Sequence, residues 1–345
     1  MSVSSRPESY RFFAAPLINM SAACRICENS ANNLIHIARE MMFGTRDPFE
    51  YIECAACGTV QIADVPDLAR YYPKDYFSFD ADREIVLAAN LRRRMGARLA
   101  GGYLTQGKGL AGKLMLKYKP WIADHFPPSM RAKCLGLDRD SRILDFGSGG
   151  GHLLQTLHYF GFRDLSGADA FIQDDVEYDT GVKVYKKRLS ELEPSYDLIM
   201  LHHAFEHVSD PFGTLVQLHR LIAPEKYCLI RIPIVNFAWE KYEINWVQLD
   251  PPRHLFLYTE QALIDLAEKA GFVVDEVIYD STAMQFWGSE QYVMDIPLND
   301  SRSENIPDNQ NSVFDRTQIE LWQRQADELN TQRRGDQACF YLRRR

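Results

Sequence analysis

Within the stretch HHAFEHVSDP, which begins at His202, the residues His203, Glu206 and His207 spell H-x-x-E-H. Two imidazoles and a carboxylate at that spacing hold a hydrolytic zinc ion when all three stand on one long helix. The flanking residues leave no room for such a helix. YDLIML (196–201) reads as a strand ending before His202, and Ser209-Asp210 ahead of Pro211 read as the cap of a new helix. Only about one turn is left between them. Three roles stay open for the histidines. One is a general base, for which His207, His254 of PPRHL and His203 are the candidates. The second is a divalent-ion site built from His203, Glu206, His207 and His254, a nitrogen-rich set that suits zinc or manganese better than magnesium. The third is structural hydrogen bonding.

Four of the seven cysteines form a second cluster. Cys24 and Cys27 of CRIC and Cys54 and Cys57 of CAAC make two C-x-x-C knuckles with 26 residues between them. Each knuckle presents two thiolates on one tight turn, and four thiolates close a tetrahedral zinc sphere. The gap is long for such a site, but a β-hairpin can fill it, and YIECAACGTVQI reads as a strand entering and a strand leaving the second knuckle. A closed sphere has no open position, so the expected zinc is structural. A pair of disulfides is disfavoured by a cytoplasmic setting. A redox C-x-x-C is disfavoured because no strand–C-x-x-C–helix pattern surrounds either pair. Cys134, Cys228 and Cys339 read as buried or incidental thiols.

The stretch SRILDFGSGGGHLLQTLHYFG (141–161) reads as strand, glycine loop and helix with a glycine stop. This is the opening unit of a doubly wound α/β fold. The loop is not a dinucleotide fingerprint, because His152 stands where G-x-G-x-x-G needs its third small residue, and it is not a P-loop, because no G-K-[ST] follows. Its pattern is D-x-G-x-G-x-G, from Asp145, Gly147, Gly149 and Gly151. An acid before the loop repels pyrophosphate and suits a ligand carrying an ammonium group. LSGADA (165–170) reads as the second strand, and Asp169 at its end is placed to accept ribose hydroxyls.

These residues resemble motifs I and II of class I S-adenosylmethionine-dependent methyltransferases. The resemblance continues through EPSYDLIMLHHAFEHVSDPFGTLVQLHRLIAPEKYCLIRIP (193–233) and DPPRHLFLYTEQALIDLAEKAGFVVDEV (250–277), and so covers roughly residues 140–280. It implies S-adenosylmethionine as cofactor, held by Asp145, Gly147, Gly149, Gly151, Asp169 and His202, with His202 and His203 near its methionine end. Glu206 and His207 match the EHV of many O-methyltransferases. The four-cysteine ribbon followed by YYPKDYFSF (71–79) is similar to a subgroup acting on sugars in polysaccharide or secondary-metabolite synthesis. The expected acceptor is therefore a hydroxyl of a sugar, nucleotide sugar or glycan. C-methylation of a ketosugar and a non-catalytic scaffold are the alternatives.

The chain has 345 residues, 46% hydrophobic and 25% charged, with net charge −8. That balance argues against a nucleic-acid protein, and no apolar run reaches the length of a membrane-spanning helix. The run FFAAPLINMSAAC (12–24) looks like a short signal core, but Pro16, Asn19 and the acid at Glu8 argue against export, so a cytoplasmic location is expected. Domain organisation is expected as leader and ribbon (1–80), a helical, basic lid or linker (81–140), the methyltransferase core (141–280) and a C-terminal extension (281–345). In that extension 297–315 reads as a mobile loop and 316–342 as a helix. The segment 91–120 is strongly basic, a solvated helix face or a patch for an anionic substrate or a membrane surface.

Overall fold

The computed structural model describes residues 17–18, 23–73 and 85–345. Most of the leader, the signal-like run up to residue 22 apart from residues 17–18, and the later part of YYPKDYFSF lie outside them. The apolar runs RILDF, YDLIML and YCLIRIP become adjacent sheet strands because such runs are satisfied only where both faces are covered. The central sheet contains β1 (Arg142–Phe146), β2 (Asp164–Ala168), β3 (Lys183–Tyr185), β4 (Tyr196–His202), β5 (Ile222–Pro233), β6 (Phe272–Tyr279) and β7 (Gln337–Arg344). Their order is β3-β2-β1-β4-β5-β7-β6, with a short strand at Val176–Glu177 beyond β3. β1 through β5 run parallel, and β7 lies antiparallel to both β5 and β6. This is a Rossmann-like α/β sheet, as the glycine loop implied.

Side chains alternate between two cores, one on each face of the sheet. In β4, Ile199 and Leu201 join the core that also holds Tyr51 and Val60 of the ribbon. Leu198 and Met200 join the core on the other face. That second core takes in α1 (Leu91–Gln106) and the helix α3 (His152–Phe160) that crosses from β1 to β2; α2 (Leu110–Tyr118) lies on α1.

The ribbon is an antiparallel sheet of Leu17–Ile18, Leu34–Arg39, Pro48–Glu53, Val60–Ile62 and Phe256–Leu257. The expected hairpin between the knuckles is present, Leu34–Arg39 pairing with Pro48–Glu53. The last strand of the ribbon comes from within the stretch assigned to the core, through Phe256 and Leu257 pairing with Gln61 and Val60. Two domain expectations change accordingly. The boundary between ribbon and core is crossed by shared strand pairing, and the supposed C-terminal extension supplies β7, inserted between two core strands. Only residues 316–331 of the expected terminal helix are helical, as the helix Arg316–Thr331. The segment 297–315 is turn-rich and carries the buried side chains Leu298 and Ser303.

Candidate functional site

The order of strands reverses between β1 and β4, and a doubly wound sheet opens a crevice at that point beyond the carboxyl ends of its strands. A cavity of about 1340 Å³ lies there. Phe146 and Gly147 line it from β1, Asp169 and Phe171 from β2, and His202 and His203 from β4. The ribbon side contributes Met42, Phe43 and Tyr72, and the late part of the chain contributes Gln285, Leu298 and Asn299. The volume exceeds the 300–1,000 Å³ or so of a typical small-molecule pocket, so there is room for two ligands. No residue of 85–140 lines the cavity. The expected lid role of 81–140, and contact of its basic segment with an anionic substrate in this cavity, are therefore not seen among the described residues.

Gly147 and Gly151 take left-handed backbone (φ 77° for each), and a Cβ on either would approach Ala204 or Val184 to 2.6 Å. Only glycine fits both positions. Asp169 holds the loop from the side: its carboxylate accepts hydrogen bonds from the backbone N–H of Gly149 (2.9 Å) and of Phe171 (2.8 Å). Asp145 is buried behind the loop, and burial together with the Asp169 charge pushes its carboxyl up to about 8. His202 closes β4 with its Nε2 buried and unpartnered, and burial, with Arg231 and His203 nearby, pushes it down to about 3. Among the sequence-derived cofactor residues, Gly147, Asp169 and His202 reach the cavity, while Asp145, Gly149 and Gly151 form the support behind it.

The single turn expected after β4 is present as a 3-10 turn, Phe205–His207, and Asp210 caps the helix Pro211–Leu221 by accepting from Gly213 N–H at 2.9 Å. His207 and His254 come together with ring centroids 4.8 Å apart. Each has its Nδ1 tied to a backbone carbonyl, His207 to Arg253 (2.8 Å) and His254 to Gln248 (2.7 Å). A carbonyl only accepts, so both Nδ1 atoms donate, and in the neutral form of either ring the lone pair lies on Nε2. His203 differs: its Nε2 receives Arg231 at 2.8 Å, and Arg231 is held in turn by Asp280 at 2.6 Å. Its basic nitrogen is thereby occupied.

Glu206 lies beneath these rings, fully buried. Burial opposes its ionisation, but His203, His207 and His254 outweigh that and hold it down at about 2. Neither carboxylate oxygen has an aligned hydrogen bond, although His203 Nδ1 stands 3.3 Å from Oε1. Ligand atoms of Glu206, His207 and His254 all lie within 4.8 Å of one another. His254 is itself pushed down to about 4, by burial and by the neighbouring His207.

Sequence reading missed the groups that fix this loop. Arg253 is fully buried and bridges Glu40 of the ribbon (2.9 Å) and Asp250 (2.6 Å). Tyr51 of the ribbon donates to the carbonyl of His254 at 2.9 Å. The signal for Arg253 was a lone cation in an otherwise apolar run, PPRHLFLY. Tyr72 and Phe171 were missed too: they stack with ring planes 9° apart at the cavity, and Phe171 is 74% exposed.

The four cysteines of the knuckles cluster as expected, each offering its sulfur within 4.8 Å of the others. Sγ separations of 3.7 Å (Cys24–Cys57) and 3.5 Å (Cys27–Cys54) are far longer than a disulfide bond. They are close to the roughly 3.8 Å edge of a tetrahedron with zinc–sulfur bonds of about 2.3 Å. Backbone N–H groups of Ile26 and Ala56 point at the sulfurs of Cys24 and Cys54, 3.4 Å in both cases, as the turn of a metal knuckle provides. The donor set fits zinc.

Residues 122–277 match the family described as methyltransferase domain. This stretch of the chain is similar to a methyltransferase domain. Its fold is the Rossmann-like α/β one of methyltransferases. The domain's solved neighbours include a cyclopropane synthase from Mycobacterium tuberculosis (15% identity, 61% of this chain and 81% of that one, TM-score 0.39). Another is an S-adenosylmethionine-dependent methyltransferase from Mesorhizobium loti (16%, 60% and 94%, 0.39). A third is Haemonchus contortus phospholethanolamine N-methyltransferase 2 (17%, 83% and 62%, 0.40). No curated protein sequence matches the chain.

Proposed function

We propose that this methyltransferase methylates a hydroxyl of a sugar-containing small molecule, with His207 as general base. The observation that carries the reading is the set tautomer of His207, whose free Nε2 stands at the cavity wall beside the ionised, buried Glu206. S-adenosylmethionine supplies a methyl group already activated on a sulfonium. Asp145, Gly147, Gly149, Gly151, Asp169 and His202 would hold it, and Phe171 and Tyr72 offer ring faces. His207 Nε2 takes the acceptor's proton as its oxygen gains the methyl group. Glu206 stabilises the imidazolium that forms, and the Arg253 carbonyl keeps the ring oriented. Arg231 holds His203 as a positioning residue rather than a base. Six side-chain amides in the wall (Gln217, Gln248, Gln285, Asn299, Asn305 and Gln337) offer paired donors and acceptors of the kind a polyhydroxyl acceptor uses. One zinc ion on Cys24, Cys27, Cys54 and Cys57 completes the ribbon.

A second reading rests on the two unpartnered oxygens of Glu206, a costly arrangement in a buried carboxylate. A divalent ion on Glu206, His207 and His254 would satisfy them and polarise the acceptor directly. Metal content separates the two. One zinc per chain supports the base reading, whereas a second ion lost in His254→Ala supports the metal. The activity itself is tested by calorimetric titration with S-adenosylhomocysteine against NAD, then by labelled methyl transfer to nucleotide sugars. One-to-one binding of the first alone, with label entering a sugar, is expected. Binding without transfer to any sugar-containing acceptor overturns the substrate class.

A further inference from the structure

The basic segment 91–120 took no part in the site, yet its structure is unusual. It holds eight Lys and Arg residues and no acid, in a chain of net charge −8. It folds as the hairpin of α1 and α2 joined by three residues. Both helices turn their small residues inward: α1 buries Gly96, Ala97, Ala100 and Gly101, and α2 buries Gly112. Contact is at backbone distance, since a Cβ on Gly101 would meet Phe160 O at 2.0 Å and one on Gly112 would meet Leu99 O at 2.4 Å. The large apolar side chains are thereby left outside. Leu91, Met95 and Leu99 recur every four residues along one side of α1, and Leu110, Leu114 and Tyr118 do so along α2. Their exposure runs from 41% at Leu99 to 78% at Tyr118. None of the eight cations forms an ion pair among the described residues. The hairpin packs on the sheet face away from the ribbon core.

We infer that this hairpin docks on an anionic lipid surface, lying on it rather than crossing it. Exposed apolar stripes interleaved with unpaired cations are what an interfacial helix pair needs, apolar side chains entering the acyl boundary while Lys and Arg meet headgroup phosphates. The charge balance selects this occupant over a second copy of the same chain, because a self-association would bring eight uncompensated cations against eight more. No described helix is long and apolar enough to cross a membrane.

The test is co-sedimentation of the full chain with phosphatidylcholine vesicles, with or without one-third phosphatidylglycerol, at low and high salt. Binding to the anionic vesicles alone, screened by salt, is expected. The pair Lys113→Glu with Lys117→Glu and the pair Leu110→Ser with Leu114→Ser should each lower vesicle affinity by about tenfold or more. Both should leave S-adenosylhomocysteine binding unchanged, which certifies the fold. Absence of binding by the folded, cofactor-competent chain overturns the inference. Equal binding to neutral vesicles does so too, as does a dimer in solution that the same leucine substitutions dissociate without any vesicle binding.

Discussion

Asp145 and His207 carry different kinds of prediction because their surroundings differ. Asp145 is buried with a second acid as neighbour and is pushed up to about 8. The free protein therefore holds a proton there at neutral pH. A ligand ammonium favours the ionised form, so binding must release that proton. Affinity for S-adenosylhomocysteine should fall as pH drops below about 8, by up to about tenfold per unit, and level off above it. Asp145→Asn should flatten the profile. Calorimetry across pH 6 to 9, roughly the window spanned by this shift, decides it, and a flat wild-type profile would remove Asp145 from the cofactor's charge partners. At His207 the geometry predicts lost turnover without lost cofactor binding. His207→Ala should reduce kcat by about 10²–10⁴-fold with S-adenosylhomocysteine affinity nearly unchanged. Full turnover in that variant would leave His207 a structural hydrogen-bond donor. The residue types at the site were legible because the glycine loop tolerates few alternatives and because histidines after a strand end are conspicuous. That His203 is occupied was not legible, since Arg231 reaches it from a neighbouring strand.

The ribbon and the loop that carries His254 are one mechanical unit. Glu40 and Arg253 stand 213 positions apart in sequence and meet with both side chains fully buried. No local pattern announces such a pair, whereas the knuckles beside it were readable from cysteine spacing alone. Removing one partner of a buried pair leaves the other uncompensated. Arg253→Met should therefore cost about 3–5 kcal/mol in denaturant unfolding, and Glu40→Gln in the same chain should recover part of it. A cost below about 1 kcal/mol would mean that solvent reaches the pair. The same coupling predicts the effect of a chelator. Stripping zinc from the cysteines should loosen Leu34–Arg39 and Pro48–Glu53 and, through Tyr51 and Glu40, the loop of His254. Turnover should fall together with ribbon order, followed by far-ultraviolet circular dichroism and activity on the same sample.

At the scale of the whole molecule, the central sheet is completed by a strand from the C-terminal segment. The central parallel strands were legible because strands covered on both faces must read as apolar runs. β7 was not, because QACFYLRR follows a helix and a glycine and is equally apolar by either period. What makes it a strand is the pair of free edges on β5 and β6, whose residues lie from 59 to 116 positions upstream of their partners in it. Ala338, Cys339, Phe340, Tyr341 and Leu342 are all fully buried there, divided between the two cores. Removing residues 337–345 would strip one strand from the middle of the sheet, bare two long apolar edges and open both faces at once. A bare edge of that kind pairs with other chains. The truncated protein should lose its cooperative unfolding transition and sediment as aggregate, although the cavity residues Gly147, Asp169 and His207 are all retained. If it instead stays monomeric and binds S-adenosylhomocysteine normally, β6 must close directly on β5, and the C-terminal segment would be an addition to a complete sheet.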